Sequence, residues 1–276
     1  MTDVCNSLRF NDTTLSHRKQ ALTLDLLTTV ATKGLGSLRY TYACYLFLIF
    51  IFAHDGLLRL GELTNNDLRV NSFYWAPDRR SFRLCLLRSK TNRSGPPEFI
   101  VFVDYDYPFS AVKLLRWWFN LHGLWHQPTS RVFPAMVVAS GNRFTSVIDV
   151  IVYRSGSLQP GDGSIPSTVR LSFDWNKTIT SDFIRRAIQK VLSISGITAS
   201  LYSGHSFRGG GATDLFNQRV PYVLIKKMGR WKSDVALDYW RDEADVAIAV
   251  GRAFGSAHSQ WSANVMAANR ASGWGI

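Results

Sequence analysis

Residues 204–213 read GHSFRGGGAT, and residues 228–241 read MGRWKSDVALDYWR. In the first stretch His205 and Arg208 stand three apart, so on a helix they share a face. Gly209, Gly210 and Gly211 follow. Glycine costs a helix roughly 1 kcal/mol relative to alanine. Three in succession therefore predict a backbone that closely approaches a ligand or a packed neighbour. In the second stretch Trp231 and Tyr239 are eight apart, about two helical turns. Arg230, Lys232 and Arg241 surround them, a setting too cationic for ordinary dry core aromatics.

Two further cationic positions lie upstream. Arg59, in GLLRLGEL (56–63), follows the longest apolar run, Tyr42–Ala53 (YACYLFLIFIFA). An arginine there is either at the surface or buried with an anion, and Glu62, three residues on, can be that anion. Asp78–Ser94 holds Arg79, Arg80, Arg83, Arg88, Lys90 and Arg93 against one acid, Asp78. It reads as a basic hairpin, either solvated or approaching a phosphate backbone.

The chain has 276 residues, enough for one large domain or two small ones. Hydrophobic residues make up 46% and charged residues 19%, which excludes a disordered chain. The net charge of +12 favours a polyanionic partner, nucleic acid before an anionic membrane. Three cysteines without a CxxC pair exclude a disulfide scaffold and a zinc ribbon, and point to a reducing, intracellular compartment. The apolar run has 12 residues where a membrane span needs about 20, so it reads as a buried core helix. The N-terminus lacks the pattern of a signal peptide. No phosphate-binding GxxxxGK loop and no carboxylate cluster with metal spacing is present. His122 and His126 have i, i+4 spacing but no acid beside them, so no metal or other cofactor is expected.

Thr23–Thr32 predicts a short helix ended by Gly34 and Gly36, and residues 38–53 a buried one. Thr64–Asp67 (TNND) reads as a turn. Val70–Trp75, Ser81–Leu87 and Phe99–Val103 are β-branched or aromatic runs separated by turn chemistry, so a small antiparallel sheet is expected near residues 70–103. Pro108 is expected to open the next helix. Residues 137–170 read as a loop-rich insert, with Ser155–Thr168 rich in Gly, Ser and Pro. Phe183–Leu192 returns to helix, with Ser181 as N-cap and Gly196 as its end. Residues 205–252 read as helical, broken near Pro221 and Gly229.

Taken in order, Arg in GLLRLGEL, Lys in an SKT hairpin, HSFR, GRWKSD and then Tyr resemble the catalytic domain of the tyrosine recombinases, or phage-type integrases. The wording is closest to the DIRS-like and Crypton-like members carried by eukaryotic mobile elements. The resemblance covers about residues 20–250. It implies an α+β, mainly α, DNA breaking-rejoining fold. It also implies a division into a short N-terminal segment (1–19) without a core-binding domain, a catalytic domain (20–252) and a C-terminal tail (253–276).

The resemblance further implies a site. A tyrosine hydroxyl, with a pKa near 10, is about one part in a thousand ionised at pH 7, so it needs a base and an electrophilic phosphate. Arg59 and Arg208 would hold the non-bridging oxygens with their planar forks. His205 would take the tyrosine proton, and Trp231 would donate its indole N–H to the same phosphate. Lys90 would protonate the leaving 5′ oxygen, and Tyr239 would be the nucleophile. Tyr202 and Tyr222 are the alternative tyrosines. Arg79, Arg80, Arg83, Arg88, Arg93, Arg230 and Lys232 are expected to contact DNA. The implied partners are double-stranded DNA and further copies of the chain, as a dimer or tetramer on DNA, without a membrane. The implied location is intracellular, and nuclear if the source is eukaryotic. The implied function is site-specific recombination for integration or excision of a mobile element. A topoisomerase IB-like nicking-resealing enzyme and a non-catalytic DNA-binding derivative are the alternatives.

Overall fold

A computed structural model describes residues 19–36, 40–88, 94–105, 109–140, 146–155 and 169–234. These lie in the first of two compact units, Met1–Tyr239; the second is Trp240–Ile276. Lys90, Arg93 and Tyr239 lie outside the described residues, as do Pro108, residues 156–168 and the tail from 235 onward.

Helix α2 (Thr41–Asp55) is the axis of the core. From Tyr45 to His54 every side chain is buried. A helix apolar on all faces must be surrounded, and α2 packs against α1 (Leu24–Thr29, continued by a π turn over Val30–Gly34), α4 (Ala111–Leu121), α5 (Val147–Arg154), α6 (Ser181–Ile194) and α7 (His205–Asn217). The expected three-strand sheet forms: β1 (Phe73–Trp75), β2 (Ser81–Leu86) and β3 (Glu98–Val103), all antiparallel in the order β1-β2-β3. Alternation sends Phe73, Phe82, Leu84, Ile100 and Phe102 inward. The Phe102 and Phe82 rings stack 4.7 Å apart, and Phe102 stacks on Phe52 of α2 at the same distance.

The insert expected over 137–170 is more ordered than its composition indicates. Residues 134–140 form strand β4 (Pro134–Ser140), which pairs antiparallel with β5 (Arg170–Thr178). Between them Ser146 caps α5, its Oγ accepting from the Ile148 N–H at 3.2 Å. The signal for β5 was present: Leu171, Phe173 and Trp175 alternate with Arg170, Ser172 and Asp174. Tyr42 and Tyr45 tie this sheet to α2 by donating to the carbonyls of Leu171 (2.6 Å) and Pro134 (2.7 Å).

Three boundaries are corrected. Helix α4 starts at Ala111 rather than at Pro108, and Ser110 caps it, its Oγ accepting from the Lys113 N–H. Thr180, rather than Ser181, caps α6. Helix α4 stops at Leu121 and Gly123 takes a left-handed conformation, so His122 and His126 do not share one helical face. His122 instead packs 4.0 Å from the Trp118 ring, where burial lowers its pKa. No helix among the described residues is long and apolar enough to cross a membrane.

The glycine run acts as expected. A Cβ on Gly210 would collide with the Leu22 carbonyl, and one on Gly211 with the His54 carbonyl. Helix α7 therefore lies directly on the backbone of its neighbours.

Candidate active site

The site is built around one carboxylate. After α2 the chain turns through Gly56–Arg59 and enters α3 (Leu60–Thr64), with Arg59 at the N-cap. Glu62 folds back over this start, and its Oε2 accepts the Arg59 N–H at 3.0 Å. Glu62 is 3% exposed. A lone charge so placed would be prohibitively costly.

Three guanidiniums answer it. Arg59 Nη1 lies 3.4 Å from Oε1, Arg230 Nη2 2.7 Å from Oε2, and Arg208 Nη1 3.8 Å from Oε2. With Glu98 3.6 Å from Arg230 Nε, three guanidiniums meet two carboxylates, so the cluster keeps one net positive charge. The pairing of Arg59 with Glu62 matches the sequence expectation.

Each arginine has its own support. Arg208 projects from the first turn of α7 and is 1% exposed. Its Nη2 donates to the Gly229 carbonyl, and its guanidinium carbon sits 4.3 Å over the ring of the buried Trp231. Arg230 follows α8 (Tyr222–Met228) in a left-handed conformation, φ 57°. Its Nη1 donates to the Met228 carbonyl at 3.0 Å and its Nε lies 3.6 Å from Glu98 Oε2. Arg230 was expected to face DNA. It is turned inward, and it joins α3, β3 and the end of α8.

In front of this cluster opens a cleft of about 810 Å³. Arg59 and Glu62 form one wall, Arg88 at the exit of β2 another, Asp182 and Arg185 of α6 a third, and His205 the fourth. His205 is exposed at the first position of α7, whereas Arg208 and Trp231 are buried and do not line the cleft. The described residues thus bring together Arg59, His205, Arg208 and Trp231, with Arg88 beside them. Arg185 was missed in the sequence. It is held along α6 by Asp182 (2.5 Å) and Gln189 (3.2 Å), and only its pairing with an acid three residues earlier marks it.

The other basic residues part company. Arg79 and Arg80 occupy the β1–β2 turn, at the opposite end of β2 from Arg88. Six strand residues separate the ends, roughly 20 Å at ~3.3 Å per residue. Arg79 stacks 3.9 Å over Trp125, and Arg83 lies on the outer face of the sheet, 5.8 Å from the Phe99 ring. The basic hairpin is therefore two surfaces rather than one. Lys232 is exposed beyond Trp231.

Both alternative tyrosines are engaged. Tyr202 is buried and donates to Gln20 Oε1 at 3.0 Å. Tyr222 donates to Asp234 Oδ1 at 2.8 Å. Desolvation, together with the hydrogen bond to and the charge of Asp234, pushes its pKa up to about 12.

No protein-family model matches this sequence, and neither does any curated protein. Solved structures do. The XerH site-specific recombinase bound to its difH substrate in a pre-cleavage complex superposes with a TM-score of 0.50, at 12% identity, over 84% of this chain and 53% of that one. The post-cleavage complex of XerH on palindromic difH gives 0.52, at 12% identity, over 85% and 53%. The fold is that of a tyrosine-recombinase catalytic domain. A lambda integrase dimer bound to a COC′ core site also matches, with a TM-score of 0.48 at 16% identity over 82% of this chain and 49% of that one. The chain spans about half the length of the XerH chain it matches.

Proposed function

We propose that this chain is a tyrosine recombinase that cuts and rejoins double-stranded DNA through a 3′-phosphotyrosyl intermediate. The observation that carries this reading is the convergence of Arg59 and Arg208 on one buried carboxylate, Glu62, which lines the same cleft as Arg59 and His205. Two forks held by a common anchor are pre-organised for the two non-bridging oxygens of one phosphate. XerH, whose fold this chain shares, is a site-specific recombinase captured on its DNA before and after cleavage, which supports the same reading.

In this mechanism Tyr239 attacks the scissile phosphorus and passes its proton to His205. Arg59, Arg208 and the Trp231 indole stabilise the charge that builds on phosphorus. Lys90 protonates the departing 5′ oxygen. Arg208 exchanges the Gly229 carbonyl for a phosphate oxygen when DNA enters. The engagement of Tyr202 and Tyr222 elsewhere favours Tyr239 as nucleophile. The ester keeps the bond energy, so religation needs no nucleotide. Residues 20–252 form the catalytic domain, flanked by the segment 1–19 and the tail 253–276. The biological setting is integration or excision of a mobile element of the DIRS-like or Crypton-like kind, inside the cell, with two or four copies acting on DNA.

The test is covalent trapping. A pool of nicked duplexes of randomised sequence is incubated with the protein and resolved on a denaturing gel, and the attached strands are sequenced. A shifted band that Tyr239→Phe abolishes is expected, and Arg208→Ala should lower its rate by ~10²–10³-fold. A band that persists in Tyr239→Phe, or no band despite DNA binding, overturns the reading.

A further inference from the structure

The inner face of the three-strand sheet is packed on α2, but its outer face is exposed. Strand alternation puts Tyr74 of β1, Arg83 of β2, and Phe99, Val101 and Val103 of β3 on that face. Tyr74, Phe99, Val101 and Val103 are 50%, 52%, 55% and 61% exposed. They are four of the ten large apolar side chains exposed among the described residues, so exposure is concentrated here. The Tyr74 and Phe99 rings meet edge to face, with centroids 6.0 Å apart. Arg83 lies between Tyr74 and Val101 in the register, with its guanidinium carbon 5.8 Å from the Phe99 ring. Glu98 is the one acid on the three strands, and it belongs to the opposite face, where its Oε2 lies 3.6 Å from Arg230.

We propose that this face is a stacking platform for an unpaired DNA strand. Its charge and its shape select the occupant together. Arg83 gives the face a positive charge that no strand carboxylate opposes, in a chain whose net charge is +12, so a polyanion complements it. The two exposed rings call for flat apolar groups. Unpaired bases supply both, a phosphate at every step and a π-face on every base. Paired bases do not, because in a duplex each base face is already covered by its neighbours. A protein strand added at β3 would use the main-chain edge and would need neither the rings nor Arg83. None of these five residues lines the cleft that holds Arg59 and His205. The platform is therefore a second nucleic-acid surface, and it goes beyond the cleavage reading rather than resting on it.

Two labelled single strands separate stacking from charge. One is an oligothymidine of about 12 nucleotides, and the other is an abasic strand of the same length, with the same phosphates and no bases. By fluorescence anisotropy the full chain should bind oligothymidine at least tenfold more tightly than the abasic strand. Tyr74→Ala and Phe99→Ala should each lose about tenfold on oligothymidine and nothing on the abasic strand. Tyr74→Phe keeps the ring and should bind as the wild type does. Arg83→Ala should weaken binding to both strands and lower the slope of log affinity against log salt by about 0.7, the share of one phosphate on a single strand. All three positions are exposed, so the variants should fold. Tyr239→Phe should change none of these affinities. Equal affinity of the wild type for the two strands, or ring variants that bind oligothymidine as well as the wild type, would overturn the platform and leave the cleavage reading intact. Ring variants that keep oligothymidine binding but lose self-association in sedimentation would overturn it in favour of a second copy on this face. Ring-dependent binding by a protein that forms no covalent complex would uphold the platform and remove the cleavage reading alone.

Discussion

Two buried charge clusters lie eight residues apart in the chain, on either side of the turn that follows α2. Around Glu62 one carboxylate faces three guanidiniums. Around His54 one imidazole faces two carboxylates: Nδ1 is 3.0 Å from Asp55 and Nε2 is 2.8 Å from Asp214. The His54 cluster is a clasp. Asp214 also accepts the Leu24 N–H (2.6 Å) at the start of α1, and Asp55 accepts the Ala111 N–H (3.2 Å) at the start of α4. These are helix-terminal donors with no partner of their own in the helix. With His54 protonated the cluster keeps one net negative charge, which the N–H donors at the starts of α1 and α4 take up, and it fastens four helices. The Glu62 cluster keeps surplus positive charge and stands behind an open cleft. Similar ingredients with opposite net charge thus distinguish a joint between helices from a cluster that borders an open cleft.

The largest effect should come from disturbing that balance. Glu62→Gln leaves three guanidiniums with only Glu98, beside Arg230, in a buried setting. Losing one partner of a buried ion pair costs about 3–5 kcal/mol. Urea unfolding should show a loss of that order, and DNA cleavage should fall with it. Arg59→Ala should cost less stability, because Arg59 is 22% exposed and water screens it. Equal losses from the two substitutions would mean that Glu62 does not organise the cluster.

The second effect tests the other cluster. Burial opposes the charged form of His54, but hydrogen bonds to Asp214 and Asp55, and their negative charge, outweigh it and raise its pKa to about 9. The folded value lies above the unfolded value of ~6.5, so the contribution is fully present below pH 6.5 and is lost as pH rises through 9. A difference of ~2.5 units corresponds to about 3 kcal/mol. Unfolding free energies measured from pH 6 to 10 should decline more steeply in the wild type than in His54→Gln. Parallel profiles would show that folding does not raise the pKa of His54.

Much of this was open to reading because it is local. The apolar run reads as a surrounded helix, the turn-punctuated runs read as hairpin strands (though Val70–Ser72 forms a 3-10 turn ahead of β1), and Glu62 lies one helical turn from Arg59. What was hidden is long-range or directional. His54 and Asp214 are 160 residues apart, and neither has a pattern that announces the other. Strand β4 pairs with β5 across some 30 intervening residues, and although β5 alternates legibly, nothing local names its partner. Arg230 adjoins Trp231 in a motif that looks like an exposed basic turn. Its left-handed backbone and a buried carboxylate from another helix draw it inward, and composition cannot supply that direction.

The smallest expected effect separates the two ends of β2. Arg88 lines the cleft, whereas Arg79 lies roughly 20 Å away along the strand with its guanidinium stacked on Trp125. Each phosphate contact contributes about 0.9 to the slope of log affinity against log salt on duplex DNA. Arg88→Ala should therefore weaken binding to a short duplex and reduce that slope by about one. Arg79→Ala on the same duplex should leave the slope unchanged, since the residue already has an aromatic partner and no place in the cleft. Fluorescence anisotropy over a salt series resolves a change of this size. If Arg79→Ala also lowers the slope by one, the duplex follows β2 along its whole length, and the two surfaces distinguished here act as a single DNA track.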